Sequence, residues 1–163
     1  MPFANKPLSG LKVIELGTLI AGPFASRICG EFGAEVIKIE SPDGGDPLRK
    51  WRKLYEGTSL WWFVQARNKK SLTLNLKHPD GLAILKKLLG EADILIENFR
   101  PGVLEKLGLS WETLHALNPK LVMVRLSGFG QTGPMKDQPG FGAVGESMGG
   151  LRYITGFEDR PPV

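Results

Sequence analysis

Gly145-Glu146-Ser147-Met148-Gly149 spells the Gly-x-Ser-x-Gly pattern, which on a strand-to-helix turn exposes a serine nucleophile. Its surroundings do not supply the rest of that machinery. Phe141-Gly142-Ala143-Val144 makes a poor strand, both histidines (His78 and His115) precede Ser147, and the chain runs only to Val163. The match reads as accidental, with ester or thioester hydrolysis at Ser147 kept as an alternative. A second candidate is Val13 to Pro23, where an apolar run empties into a turn bounded by Gly17 and Gly22. Pro23 falls where the first position of a helix is expected, a place its fixed φ and missing N–H suit. Such a turn presents free backbone N–H groups and the positive end of a helix dipole, which together favour an anion. It is neither a dinucleotide fingerprint nor a P-loop, because no third glycine is in phase and no Gly-Lys-Ser/Thr follows.

Glu40 stands where a ribose-binding acid of a nicotinamide enzyme would stand, or else it is a solvated carboxylate at a strand end. Lys69-Lys70 and the Arg49–Lys53 cluster, with Trp61-Trp62 nearby, could suit single-stranded nucleic acid, where cations and stacking rings interleave. A basic rim around a phosphate ligand, with the aromatics in a core or an interface, accounts for them as well and is preferred; no nucleic-acid partner is expected. The two histidines and Cys29 are far apart and lack metal-ligand spacing, so no metal is expected. A single cysteine excludes an internal disulfide and fits a reducing, cytoplasmic setting.

The elements that must carry these residues alternate. Leu11–Leu16 reads as a buried strand, Pro23–Phe32 as a helix, and Glu35–Glu40 as a second strand, which makes a right-handed βαβ unit. Ser41–Asp46 is a loop, and Ser59–Ala66 carries Trp61-Trp62-Phe63 on a short helix. Ser71–Leu76 alternates with period two and predicts a third strand. Pro79 opens a helix with Leu82, Leu85, Leu88 and Leu89 on one face and Lys86 and Lys87 outward. Asp93–Glu97 is a fourth strand, a helix restarts at Pro101-Gly102 through Leu104 and Leu107, and Ser110 caps another near Trp111. Lys120–Leu126 is the fifth strand, after which glycine dominates. The expected fold is α/β: a Rossmann-like, open, mainly parallel sheet with helices on both faces.

The totals agree with a globular α/β chain. It has 163 residues, 42% hydrophobic and 23% charged, with 21 glycines and 12 prolines. That composition excludes a disordered chain, and the glycine and proline content suits many tight connections. No apolar run nears the ~20 residues of a membrane span, and Met1–Pro7 has no apolar leader, so neither membrane nor secretion is expected. The net charge of +4 suits a polyanionic small molecule but decides nothing alone.

Five separated motifs resemble one family. Leu8-Ser9-Gly10-Leu11-Lys12-Val13 with Ala21-Gly22-Pro23, and Gly33-Ala34-Glu35-Val36-Ile37-Lys38-Ile39-Glu40, resemble the start of class III CoA-transferases, the formyl-CoA transferase and CaiB/BaiF group. Arg67-Asn68-Lys69-Lys70-Ser71, Glu97-Asn98-Phe99-Arg100-Pro101-Gly102 and Ser127-Gly128-Phe129-Gly130-Gln131-Thr132-Gly133-Pro134 do so too. The resemblance implies transfer of coenzyme A from an acyl-CoA to a free carboxylic acid. An aspartyl mixed anhydride and an enzyme thioester are its intermediates, a form of nucleophilic covalent catalysis. It implies no cofactor beyond the CoA thioester substrate, and an interlocked homodimer for full-length members.

Residue by residue, the resemblance places Ile20 and Ala21 against CoA at the opening turn, and Leu74, Asn75, Leu76 and Lys77 against the adenine and a phosphate. It places Asn98, Phe99 and Arg100 in another CoA-contacting loop and Lys106 as a basic phosphate ligand. Phe141, Gly142 and Glu146 are implied near the reaction centre. Ser41 replaces an arginine that some members set on a phosphate. Gly142 stands where an acidic residue is common, and Glu146 where a glutamine is. The family's nucleophilic aspartate falls a short way beyond the Arg160-Pro161-Pro162-Val163 stretch, and neither Asp159 nor Asp137 fits it. Residues 1–163 are therefore expected to be the N-terminal CoA-binding part of the large domain. The second domain and the C-terminal return are expected to lie outside it, and the chain alone is expected to be inactive; a non-catalytic CoA- or nucleotide-binding module is the other alternative beside the Ser147 hydrolase.

Overall fold

Val13, Ile14 and Glu15, the last three residues of β1 (Lys12–Glu15), are all buried, as in parallel strands covered by helices on both faces. β1 runs through a turn into α1 (Ala21–Glu31) and on to β2 (Glu35–Glu40), giving the expected βαβ unit. The structure is a computed structural model that describes residues 6–161. The expectation drawn from Met1–Asn5 and the last two residues of the Arg160–Val163 stretch lie outside the described residues.

After β2 come a 3-10 turn (Pro47–Lys50), a small hairpin of β3 (Leu54–Tyr55) and β4 (Thr58–Ser59), and α2 (Leu60–Gln65). β5 (Lys69–Thr73), α3 (Pro79–Gly90), β6 (Ile94–Glu97), α4 (Val103–Lys106), α5 (Trp111–Leu117) and β7 (Val122–Arg125) complete the first unit. The sheet order is β5-β2-β1-β6-β7, and every pairing in it is parallel. From β1 the chain builds outward first through β2 and β5, then back through β6 and β7. The point of reversal lies at the carboxyl ends of β1 and β6, where open α/β sheets bind ligands.

Two apolar clusters cover the two faces of the sheet. Ile14, Leu16, Ile39 and Leu95 pack with Leu85 and Leu89 of α3, Leu104 of α4 and Leu114 of α5. Val13, Val36 and Ile96 pack with Ala25 and Cys29 of α1. Leu85, Leu89, Leu104 and Leu114 are fully buried, and each contributes about 1.5–3 kcal/mol of transfer free energy.

Several boundaries differ from the sequence expectation. α1 begins at Ala21, so Pro23 is its third residue; the missing N–H still costs nothing, since first-turn donors have no intrahelical acceptor. The third strand starts at Lys69, and the chain leaves the ladder after Thr73 rather than at Leu76. The fifth strand is shorter, Val122–Arg125. The two-residue strands of the hairpin carry too little pattern to be read as strands.

The chain divides into two units, Met1–Leu126 and Ser127–Val163. The second holds α6 (Gly142–Met148), and none of its described residues is fully buried. Gly128 and Gly140 pass so closely that a Cβ on Gly140 would lie 2.3 Å from the Gly128 Cα. Two glycine-rich segments therefore meet backbone to backbone within this unit.

Candidate functional site

A cleft of about 190 Å³ opens over the carboxyl ends of β1, β2 and β5. Leu16, Ile39, Leu74, Leu76 and Phe99 form its apolar surface, and Gly17, Thr18, Ser41, Asp43, Asn75 and Lys77 are among its polar lining. Five residues singled out from sequence, Leu74, Asn75, Leu76, Lys77 and Phe99, thus share one concavity. Ile20, Ala21, Asn98, Arg100 and Lys106 do not line it. Lys106 is the last residue of α4 and is exposed, as is Arg100. Phe141, Gly142 and Glu146 belong to the second unit, where Phe141 precedes α6, Gly142 opens it and Glu146 lies 3.3 Å from Arg152.

The turn between β1 and α1 is folded tightly on itself. A Cβ on Gly17 would lie 2.8 Å from the Gly22 Cα, which excludes any side chain at either position. Leu19 sits at φ +60, in the left-handed region that residues other than glycine rarely adopt. Two side chains from elsewhere hold the turn. The Asn98 amide accepts from Thr18 N at 2.7 Å and donates to Thr18 O at 2.9 Å, while Asp46 Oδ1 accepts from Leu19 N at 3.0 Å. Ile20, the residue before α1, makes no side-chain cap, so the first-turn N–H groups of Ala21 and Gly22 lack an intrahelical acceptor. Asn98, implied as a CoA contact, spends both functions of its side chain on Thr18.

Beneath the turn lies an ionic network that the sequence reading did not find. Lys38 Nζ lies 2.7 Å from Glu15 Oε1, 2.8 Å from Asp46 Oδ2 and 2.7 Å from Gly17 O. Lys69 Nζ reaches Glu15 Oε2 at 2.8 Å and Pro23 O at 2.7 Å, and Ser26 Oγ donates to Glu15 Oε2 at 2.6 Å. Burial lowers the Lys69 pKa, against the opposing pull of Glu15. Lys69 is therefore an interior counter-ion and not part of a basic rim.

Glu40 fits neither sequence reading. It is 5% exposed and is held bidentately by Arg49, at 2.8 Å for each contact. Ser71 Oγ donates to it at 2.6 Å and Asp46 N at 3.0 Å. Burial alone would raise its pKa, but the Arg49, Ser71 and Asp46 hydrogen bonds outweigh that and hold it at about 2. With its carboxylate so engaged, Glu40 is not offered to a ribose. Arg49 also stacks 3.8 Å over the Trp62 ring, so this cation too is structural.

Glu97, 1% exposed, is the matching anchor at the end of β6. It pairs with Arg125 at 2.7 Å and accepts from Phe99 N at 2.7 Å, fixing the loop that carries Phe99 into the cleft. Burial raises its pKa in spite of Arg125. One cue to these interior ions was available in the sequence, a charged residue inside an otherwise apolar strand, as at Glu15 and Lys38.

Ser147 is not on a nucleophile elbow. It lies inside α6, where its hydroxyl donates to Ala143 O at 2.7 Å, the back-bonding of an ordinary helical serine. Among the described residues no group of three or more His, Cys, Asp or Glu side chains could hold a metal ion.

A parallel sheet wound in both directions from β1, with a cleft over the carboxyl ends of β1, β2 and β5, defines a Rossmann-like α/β unit. Residues 8–163 match the model of CoA-transferase family III, and the chain belongs to that family. It is 58% identical over 158 residues to the succinyl-CoA–D-citramalate CoA-transferase of Chloroflexus aurantiacus, a match that covers 96% of this chain and 39% of that protein. It is 41% identical over 159 residues to the succinyl-CoA:glutarate CoA-transferase of Homo sapiens, covering 97% and 36% respectively. The crystal structure of a CaiB/BaiF family protein from Brucella suis superposes with a TM-score of 0.90 at 40% identity, over 98% of this chain and 43% of that one. The chain spans about two fifths of the length of these relatives.

Proposed function

We propose that residues 1–163 are the N-terminal CoA-binding part of the large domain of a class III CoA-transferase. The enzyme would move coenzyme A from an acyl-CoA to a free carboxylic acid. The observation that carries this reading is the convergence of Leu74, Asn75, Leu76, Lys77 and Phe99 on one cleft at the carboxyl edge of the sheet. Its apolar surface suits the flat face of an adenine, and Lys77 supplies a cation for a phosphate. Beside it, the uncapped start of α1 at Ile20 and Ala21 offers backbone N–H groups to a further phosphate.

In the reaction so inferred, an aspartate carboxylate attacks the thioester carbonyl and expels the CoA thiolate. The thiolate then attacks the aspartyl carbonyl carbon of the anhydride, forming the enzyme thioester as the C–O bond to the first acid breaks and that acid leaves as its carboxylate. The acceptor carboxylate displaces the thiolate to form a new anhydride, whose acyl carbon the thiolate attacks to release the aspartate. The resemblance puts that aspartate beyond Val163, so the part assigned to this chain is to bind and orient the carrier. The two enzymes compared above, both named for succinyl-CoA, make it the first donor to test. No helix among the described residues is long and apolar enough to cross a membrane; the cytoplasmic setting is inferred from the single cysteine, and the homodimer from the resemblance.

Titration of the chain with CoA in a calorimeter tests the reading. Saturable binding, weakened by Lys77→Ala and by added salt, supports it. Absence of binding by the wild-type chain overturns it.

A further inference from the structure

Lys38 lines the cleft yet its ammonium is engaged from within the fold. It donates to Glu15 Oε1 and to Gly17 O, both at 2.7 Å, and lies 2.8 Å from Asp46 Oδ2 in an ion pair. Its side chain is only 2% exposed. Of the cleft's carboxylates, Glu40 is neutralised by Arg49. Asp43 is exposed to solvent, whereas buried Asp46 has its ion pair with Lys38, with Arg49 and Lys69 acting on it at longer range. Asp46 cannot be dispensed with, because its Oδ1 holds Leu19 N at 3.0 Å and Leu48 N at 2.9 Å, and so ties the strained turn to the loop after β2. Glu15 keeps a second cation in Lys69, so removal of Lys38 falls mainly on Asp46, which retains only the longer-range pull of Arg49 and Lys69.

Resting on the reading of this cleft as the CoA site, we propose that Lys38 is a positioning and charge-compensating residue. It cancels Asp46 so that a carboxylate can hold the Gly17–Gly22 turn without repelling the ligand's phosphates. Lys38 touches no ligand; it acts through Asp46 and Gly17 O. The arrangement separates two tasks that one exposed lysine would combine, shaping the turn and setting its charge.

The test is a pair of substitutions with opposite signs. Lys38→Met weakens CoA about tenfold at low salt, the scale of one nearby unit charge, and the loss shrinks as salt screens it. Asp46→Asn keeps an amide oxygen for Leu19 and Leu48 and removes the charge, so CoA binds several-fold tighter. Adenosine, which carries no phosphate, changes less than twofold in either variant. A weaker CoA affinity in both variants, or equal losses for CoA and adenosine in Lys38→Met, marks a merely structural role and overturns the proposal. Should Lys38→Met fail to fold by circular dichroism, the sign of the Asp46→Asn effect decides. A wild-type chain that binds no CoA removes the reading of the cleft itself, whereas a wild type that binds and variants that do not diverge remove this inference alone.

Discussion

Glu15 on β1 and Lys38 on β2 are register partners across the parallel pair, and their side chains close an ion pair of 2.7 Å with neither more than 2% exposed. The second Glu15 oxygen is taken by Lys69, 2.8 Å away on β5. One carboxylate thus ties three neighbouring strands together beneath the cleft. Ion pairs of this kind contribute little net stability against a well-packed apolar replacement, but removal of one partner strands the others.

Glu15→Ala is therefore expected to destabilise the chain by about 3–5 kcal/mol, because two buried ammonium groups lose their shared counter-ion. Urea denaturation followed by circular dichroism measures it. A loss under 1 kcal/mol would mean that water reaches Lys38 and Lys69.

Acid should act through Glu40. Its folded pKa of about 2 lies below the ordinary 4.5, so its contribution is complete above about pH 4.5 and is lost as pH falls towards 2. Glu97, with a raised pKa, works in the opposite direction in wild type and variant alike, and the comparison cancels it. The gap in unfolding midpoint between wild type and Glu40→Gln is expected to be wide at pH 7 and to narrow steadily below pH 4.5. A gap independent of pH would refute the assignment.

Gly81, near the start of α3, lies against the segment that lines the cleft: a Cβ there would be 2.1 Å from Asn75 O. An ordinary helical Gly→Ala change gains about 0.5–1 kcal/mol. Overpacking against backbone costs about 1–3 kcal/mol, so the clash decides the sign. Gly81→Ala should lower the melting temperature and weaken CoA together, since Leu74–Lys77 must move.

Incubation with an acyl-CoA should leave Ser147 unmodified in a mass spectrum, and Ser147→Ala should bind CoA like wild type. The hydroxyl is engaged with Ala143 O inside α6. An acyl adduct at Ser147 would revive the hydrolase alternative.

Where burial is apolar, the sequence was a good guide. β2 spans Glu35–Glu40 as expected, the Leu82, Leu85, Leu88 and Leu89 face of α3 packs on the core, and Ser110 caps α5 by accepting from Thr113 N. Where burial is ionic, it was a poor one. Lys69 and Glu40 read as surface charges because a charged side chain signals solvent unless its partner is known, and the partners come from β1 and from the loop after β2. Pairing Lys38 with Glu15 requires the strand register, a property of two segments and not of either. Asn98 shows the same limit at the site: its motif marks the loop, while its hydrogen bonds to Thr18 join segments eighty positions apart.

The sheet order also sets a timetable for synthesis. β1 is made early and finds β2 soon afterwards, but its other edge waits for β6, with Glu15 aligned to Ile96 and Thr18 clasped by Asn98 eighty positions on. At ~5–20 residues per second on the ribosome, that is a wait of roughly 4–16 s. The Glu15–Lys38–Lys69 charges can assemble once β5 has emerged, before β6 exists. The nascent chain would thus carry a half-closed sheet with one open, apolar edge, and that interval is when a chaperone has most to shield.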